Sequence, residues 1–332
     1  MTQTYRAAVI GCGGRGRAHA EGYALNGQTT IVACAEPSDK TRTAFCEQFD
    51  VGSAYTNYRE MLEGEQIDIV SVCTWIGLHR EMIEAAAASG VKAIHSEKPI
   101  APTWGDARAI HSACEQAGVV LTFCHQRRFG DRFRSARALV RDGAIGQLRR
   151  HETSCSNLFD WGTHWFDMMF FFNDETPAEW VLGQISVEEE RLIFGIPVET
   201  SGFSWIRFAN GVEGMMATGD AGYEGTRNRL VGTEGVIEVE EKEGIRLLRD
   251  SGWEEQPVTE GVPTPQHTIA SVDDLVACLD SGDEPELSSR KAMQATELIF
   301  ATYESARRRG RVHLPLNTED SALLTMLDEG MI

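Results

Sequence analysis

Apolar residues recur along the first third of the chain in two alternating periods. The runs "RAAVIG" (6–11), "TTIVACAE" (29–36), "IDIVSVC" (67–73), "VKAIHS" (91–96) and "VVLTFC" (119–124) are continuous and rich in strand formers. Between them lie stretches of helical period. "RGRAHAEGYALN" (15–26) follows a glycine turn, and "SDKTRTAFCEQF" (38–49) has Ser38 as an N-cap. "HREMIEAAAASG" (79–90) stops at Gly90, and "TWGDARAIHSACEQAG" (103–118) pairs Thr103 with Asp106 at capping spacing and stops at Gly118. Strands that are apolar at successive positions are buried on both faces, and strand–helix alternation predicts a parallel, doubly wound sheet.

After about residue 125 the rhythm changes. "RFRSARALVRDGAIG" (132–146) has helical spacing. From 178 to 257 come short strands, "EWVLGQISV", "GFSWIRFA", "VEGMMAT", "RNRLVG", "GVIEVE" and "GIRLLRD", divided by turns such as "ANG" and "GTEG", which predicts an antiparallel meander. "GFSWIRFA" carries Phe203 and Trp205 on one face and Ile206 and Phe208 on the other. One face is expected to cover helices and the other to meet another subunit. Helical spacing returns in "SVDDLVACLDSG" (271–282) and "SRKAMQATELIFATYESARRRG" (289–310).

Composition narrows the function classes. The 332 residues suffice for two domains, and a formal charge of -19 repels phosphate backbones, so nucleic acid is not an expected partner. The longest strongly apolar stretch, "WFDMMFFF", is too short to span a bilayer and contains Asp167, so no membrane association is expected. "MTQTYRAAVIG" lacks the pattern of a secretory signal. The eight cysteines form no C-x-x-C pair, which points to reduced thiols, a cytoplasmic location and no metal.

Chemistry enters at "GCGGRG", which sets Gly11, Gly13 and Gly16 in G-x-G-x-x-G spacing between a predicted strand and a predicted helix. Gly11 allows the tight turn, Gly13 lets the backbone approach a pyrophosphate, and Gly16 lets the helix pack close to the strand. Gly14 and Arg15 fall within the same turn, where the helix N-terminus offers free N–H groups to phosphates. Glu36, 20 residues past Gly16, can accept hydrogen bonds from both ribose hydroxyls and would repel a 2′-phosphate. This favours NAD over NADP, although Lys40 and Arg42 lie close by in sequence.

Three features then coincide: the dinucleotide turn, "EKP" (97–99) after a later strand, and "DWGTHWFD" (160–167). Together they resemble the Gfo/Idh/MocA family, the glucose–fructose oxidoreductase and inositol dehydrogenase group. The likeness extends to "IDIVSVCTWIGLHREMIEAAAASGVKAIHSEKPIA", "VGTEGVIEV" and "ATYESARRRGRVHLPL". The resemblance implies an N-terminal Rossmann domain over 1–124, followed by an α+β domain over 125–332. The second domain has an open, mostly antiparallel sheet that serves substrate binding and oligomerisation, and a C-terminal helix can pack back on the first. It implies NAD-dependent transfer of hydride between nicotinamide and a sugar, polyol or sugar derivative, in a homodimer or homotetramer joined through sheet faces.

The resemblance also assigns roles. Lys98 would point at the reacting oxygen beside the nicotinamide, where an ammonium stabilises alkoxide charge. Pro99 restrains the backbone behind it, and a cis Lys98–Pro99 bond is implied. Glu97 would contact the cofactor or orient the loop, and Thr74, Trp75 and His79 join the expected cofactor contacts. His164 suits both removal and return of the hydroxyl proton. If the segment is helical, Asp160, four residues earlier, shares a face with it and can fix its tautomer or bind a substrate hydroxyl; Asp167 is a rival partner.

Departures from the family pattern leave alternatives open. Trp75 stands where a proline is common and could wall the nicotinamide pocket, stack on a sugar or fill core. Only "NLF" separates "HETSCS" from Asp160, which fits an open site, a bulkier substrate such as a glycoside, or a lid from a neighbouring subunit. His125, Arg127 and Arg128 in "CHQRRFG", with Trp161, are candidate substrate contacts, the arginines being suited to a carboxylate or phosphate or else to interdomain salt bridges. Two other functions remain: a glycosidase or lyase of the same family that oxidises its sugar transiently and restores it, and a non-catalytic NAD-binding regulator.

Overall fold

The computed structural model describes residues 4–219, 228–240 and 244–332. The first part runs β1 (Tyr5–Ile10), α1 (Gly14–Leu25), β2 (Thr29–Ala35), α2 (Asp39–Phe49), β3 (Ser53–Tyr55), α3 (Tyr58–Gly64), β4 (Ile69–Val72), α4 (His79–Ala88), β5 (Ala93–Ser96), α5 (Trp104–Ala117) and β6 (Val120–Phe123). All neighbours in the sheet are parallel, in the order β3-β2-β1-β4-β5-β6. This is the doubly wound arrangement that the strand–helix alternation predicts. β3 and α3 escaped the sequence reading because a three-residue strand has too few positions to show a period.

The chain continues with α6 (Asp131–Arg141), β7 (Leu148–Cys155), α7 (Trp161–Phe172), β8 (Ala178–Ser186), β9 (Arg191–Ile193), β10 (Ile196–Val198), β11 (Ser201–Phe208), β12 (Glu213–Gly219), β13 (Asn228–Gly232), β14 (Val236–Glu240), β15 (Gly244–Arg249), β16 (Gly252–Gln256), α8 (His267–Ser281), α9 (Ser289–Arg308), β17 (Val312–His313) and α10 (Ala322–Asp328). The expected strand "RNRLVG" begins at Arg227, outside the described residues; its described part is β13. Nine strands form one sheet in the order β16-β15-β14-β13-β7-β12-β11-β8-β17.

That sheet corrects the simple meander. β7, from earlier in the chain, lies between β13 and β12 and runs parallel to β12. The other pairings are antiparallel, so the sheet is mixed but mostly antiparallel. The apolar stretch "WFDMMFFF" is the body of α7, which packs on one face of this sheet. Phe170 meets Phe208 edge to face at 5.4 Å, and Phe172 meets His151 at 5.5 Å. Ile206 and Phe208 are buried on that side, whereas Phe203 and Leu182 are exposed on the other. A helix apolar nearly all round needs this kind of burial.

By internal contacts the chain divides into two units. The first holds residues up to Pro102, Asp106–Gln126 and Thr264–Ala292; the second holds Thr103–Gly105, Arg127–Pro263 and Met293–Ile332. α8 falls in the first unit, its Val272, Leu275 and Val276 buried in one core with Tyr5, Ala20 and Tyr23, although it lies beyond the expected 124/125 boundary in sequence. Helical spacing shows that α8 has an apolar face but not which sheet that face covers. All eight cysteines are free thiols, Cys34 and Cys46 lying 3.6 Å apart at sulfur. No helix among the described residues is long and apolar enough to cross a membrane.

Candidate active site

In the first unit, β1 ends in the glycine turn. Gly11 has φ +88°, and a Cβ there would lie 2.4 Å from the carbonyl oxygen of Cys73. At Gly16 a Cβ would lie 1.9 Å from the Gly11 carbonyl oxygen, so α1 reaches the strand only because no side chain is present. At Gly13 and Gly14 a Cβ would meet nothing within 4 Å. The turn thus presents open space over the N-terminus of α1, the room and the free N–H groups that a dinucleotide's phosphates require. These residues fit the cofactor.

Glu36 follows β2 and is partly exposed. Its Oε2 accepts the backbone N–H of Cys12 at 3.1 Å and its Oε1 that of Ser38 at 2.9 Å. Two amides therefore hold the carboxylate beside the glycine turn. Arg42 donates to the Glu36 backbone carbonyl and to Asp39, so its guanidinium is already engaged. Thr74 leaves β4, with its Cγ2 3.0 Å from where a Gly11 Cβ would stand. Trp75 is 65% exposed, which rules out core filling. His79, expected among the cofactor contacts, is buried instead. Its ring nitrogens face the carbonyl oxygens of Ile100 and Thr74, each at 3.2 Å, so it braces the chain on either side of the loop.

Lys98 is half-buried and follows β5 by two residues, with the Lys98–Pro99 bond cis. Glu97 before it is buried rather than presented to a ligand. Its Oε1 accepts from Arg15 Nε at 2.6 Å and faces His19 Nε2 at 3.0 Å. Burial acts to raise the Glu97 pKa, but His19 and Arg15 outweigh it and hold the carboxyl well below the usual carboxylate range. Arg15 also reaches Cys124 Sγ and Thr268 Oγ1, both at 3.4 Å, so its guanidinium turns into the unit instead of lying along the glycine turn.

In the second unit, Asn157 sets the start of α7. Its Oδ1 accepts the N–H of Asp160 at 2.7 Å and that of Trp161 at 3.4 Å. Asp160 precedes the helix, and His164 lies in its first turn; both are buried, at 8% and 4% exposure. Trp161 is 41% exposed, with the guanidinium of Arg127 5.4 Å from its ring centre and 4.9 Å from that of Trp165. Arg128 is not a substrate contact: it is fully buried and bound to Asp167 and Glu175. Asp167, the rival partner for His164, is thereby committed to Arg128. His125, in the first unit, is buried as well.

Two buried residues carry polar networks to which the sequence reading gives no role. His19 links α1 to Glu97, and Glu199 takes the N–H of Leu158 just ahead of Asp160, at 2.5 Å. A signal for the first was present. Arg15, His19 and Tyr23 recur at every fourth position, a polar stripe on the face of α1 that apolar residues should fill.

Two family models match the chain: the oxidoreductase family, NAD-binding Rossmann fold, over residues 5–125, and the oxidoreductase family, C-terminal alpha/beta domain, over residues 146–314. The D-apiose dehydrogenase of Paraburkholderia graminis is 28% identical over 99% of this chain and 94% of its own length. The myo-inositol 2-dehydrogenase of Thermotoga maritima is 26% identical over 74% of this chain and 75% of its own. Among solved structures, an oxidoreductase from Agrobacterium radiobacter in complex with NAD+, L-tartaric acid and magnesium shares the fold. Its TM-score is 0.81 at 21% identity, covering 94% of this chain and 98% of that one. With both of its domains matched in order, the chain belongs to the Gfo/Idh/MocA family of oxidoreductases.

Proposed function

We propose that this NAD-dependent oxidoreductase acts on the CH–OH group of a sugar or polyol, with Lys98, Asp160 and His164 working on the reacting hydroxyl. The two curated relatives are named for D-apiose and myo-inositol, which supports that substrate class. One observation carries the reading. Lys98 leaves the carboxyl-terminal end of β5 in the same parallel sheet whose β1 runs into the glycine cradle, the edge at which doubly wound sheets bind ligands.

When bound, NAD supplies the acceptor for the hydride. The protein's own groups manage the proton and the charge. His164 takes the hydroxyl proton as hydride leaves the same carbon. The Lys98 ammonium lowers the energy of the oxygen as negative charge develops on it. Asp160 orients the imidazole or holds a neighbouring hydroxyl. Glu36, fixed by two backbone amides, favours the free ribose hydroxyls of NAD over the phosphate of NADP. The exposed apolar side of the nine-stranded sheet, around Leu182 and Phe203, supports a homodimer or homotetramer joined through that face. Free thiols throughout fit the cytoplasm.

The test is an NAD-reduction screen over polyols, aldoses, uronates and glycosides, with analysis for released aglycone. NADH formed in proportion to substrate supports the proposal. Aglycone released without net NADH points to transient oxidation, and NAD binding without turnover to a regulator.

A further inference from the structure

Beneath the Glu97–Lys98 turn, the first unit contains a column of polar groups that the chemistry above does not use. His19 is fully buried on α1, with Nε2 3.0 Å from Glu97 Oε1 and Nδ1 3.0 Å from Ser71 Oγ on β4. Tyr23 Oη stands 2.8 Å from the same Ser71 Oγ. An ionised carboxylate only accepts hydrogen bonds, so the proton between His19 and Glu97 sits on Nε2. The ring cannot turn without losing both partners, and His95 stacks on it at 4.4 Å. Its orientation is fixed on every side.

The column is not a metal centre. Ligand atoms of His19, His95 and Cys124 do lie within 4.8 Å of one another. Yet the His95 nitrogens face Thr122 Oγ1 and Ser271 Oγ at 2.8 and 3.2 Å, both His19 nitrogens are engaged, and the Arg15 guanidinium sits on Cys124 Sγ. A cation would have to displace every one of these bonds and lie beside an arginine.

A buried carboxylate is costly unless donors satisfy it. Glu97 has two, Arg15 and His19. The side chain of Arg15 is 45% exposed, whereas that of His19 is wholly enclosed. The enclosed donor is the one whose position solvent cannot disturb. We propose that His19 is a positioning residue for Lys98, holding the adjacent Glu97 carboxylate through its Nε2–H so that the turn presents the lysine in one place. The inference rests on the reading of Lys98 as a group that acts on substrate.

The first test needs no substrate. Trace acetylation with acetic anhydride, read by peptide mass spectrometry, reports the surroundings of each lysine. In His19→Leu the labelling of Lys98 relative to exposed Lys40 should change several-fold. In His19→Gln, whose amide N–H can replace the lost donor, the ratio should stay near wild type. An unchanged ratio in His19→Leu, or equal change in both variants, overturns the proposal. If His19→Leu does not fold, Ser71→Ala removes the Nδ1 contact along with the Tyr23 Oη bond to the same hydroxyl, leaves the Nε2–Glu97 bond in place, and should shift the ratio in the same direction.

The second test is a kinetic cycle with whichever sugar or polyol reduces NAD in the screen. A turn displaced by about 1 Å can lower kcat about 100-fold, so His19→Leu should lower kcat by that order with little change in KM for NAD. On a Lys98→Ala background it should lower kcat no further. The same loss on both backgrounds overturns the proposal. Full turnover in Lys98→Ala alone removes the Lys98 reading, and the inference with it. An inactive Lys98→Ala beside a fully active His19→Leu removes only the inference.

Discussion

Arg128 donates to Asp167 through two parallel hydrogen bonds, Nε to Oδ2 and Nη2 to Oδ1, each 2.8 Å, with both side chains shut off from solvent. Glu175 takes Nη1 at 2.6 Å. Burial works against the guanidinium's charge, but the two carboxylates outweigh it and raise its pKa further above the ordinary arginine value. The pair ties the segment after the first unit's last strand to α7. Its work is architectural, and that separates Arg128 from its neighbour Arg127.

Breaking this pair should unfold the protein before it affects binding. Removing Asp167 leaves the buried guanidinium with Glu175 as its remaining carboxylate and with its Nε bond to Oδ2 lost, so Asp167→Ala should lose about 3 kcal/mol in urea unfolding, the lower end of the range for a broken buried pair. At temperatures where the variant is folded, KM should stay near wild type. A raised KM with unchanged stability would return Arg128 to the substrate site.

Lys98→Ala should reduce turnover by about two to four orders of magnitude, the range for general acid–base and electrostatic groups. NAD affinity, measured by calorimetry, should change little by comparison. Near-normal turnover would mean that the lysine is an ordinary half-buried charge.

Glu36→Ala should lower kcat/KM for NAD and narrow its advantage over NADP. Hydrogen bonds to a charged group contribute about 1.5–3 kcal/mol, which corresponds to roughly 10- to 150-fold in NAD efficiency. Steady-state kinetics with both cofactors decide it; an unchanged ratio would show that Glu36 merely pins the loop through Cys12 and Ser38.

Glu199 gives the chain a pH signature. It is fully buried, with Leu158 N–H, Tyr303 Oη and Thr218 Oγ1 as donors at 2.5, 2.7 and 3.4 Å. None carries a charge, and burial raises its pKa above the ordinary glutamate value. A raised folded pKa means that the group's favourable contribution is complete below the unfolded pKa and is lost as pH rises through the folded one. Glu199→Gln stays neutral throughout. Its melting temperature relative to wild type should therefore climb as pH rises above about 4, the unfolded carboxyl pKa, and level off once the buried carboxyl has ionised. A flat difference would sink the idea.

What the sequence made legible follows from what its patterns encode. The glycine turn, the parallel strands and the D-x-x-x-H spacing of Asp160 and His164 are local, and local patterns survive folding. Burial is not local. His79 and Arg128 are residue types that bind ligands when exposed and brace loops when enclosed, and nothing in "GLHR" or "QRRF" tells the two apart. The hairpin β9–β10 and strand β16 were missed for another reason: three to five residues of mixed polarity carry no readable period. The place of β7 in the middle of the sheet depends on long-range pairing, which no local pattern encodes.

The return of α8 to the first unit has a consequence for how the molecule is made. Every strand of the parallel sheet has been synthesised by Phe123, yet Val272, Leu275 and Val276 arrive only after the ribosome has also built most of the second unit. Until then Ala20 and Tyr23 lack part of their cover, so the amino-terminal third cannot close fully as it emerges and is exposed to chaperone capture until α8 is made. A gene fragment stopping at residue 124 would encode a permanently open core.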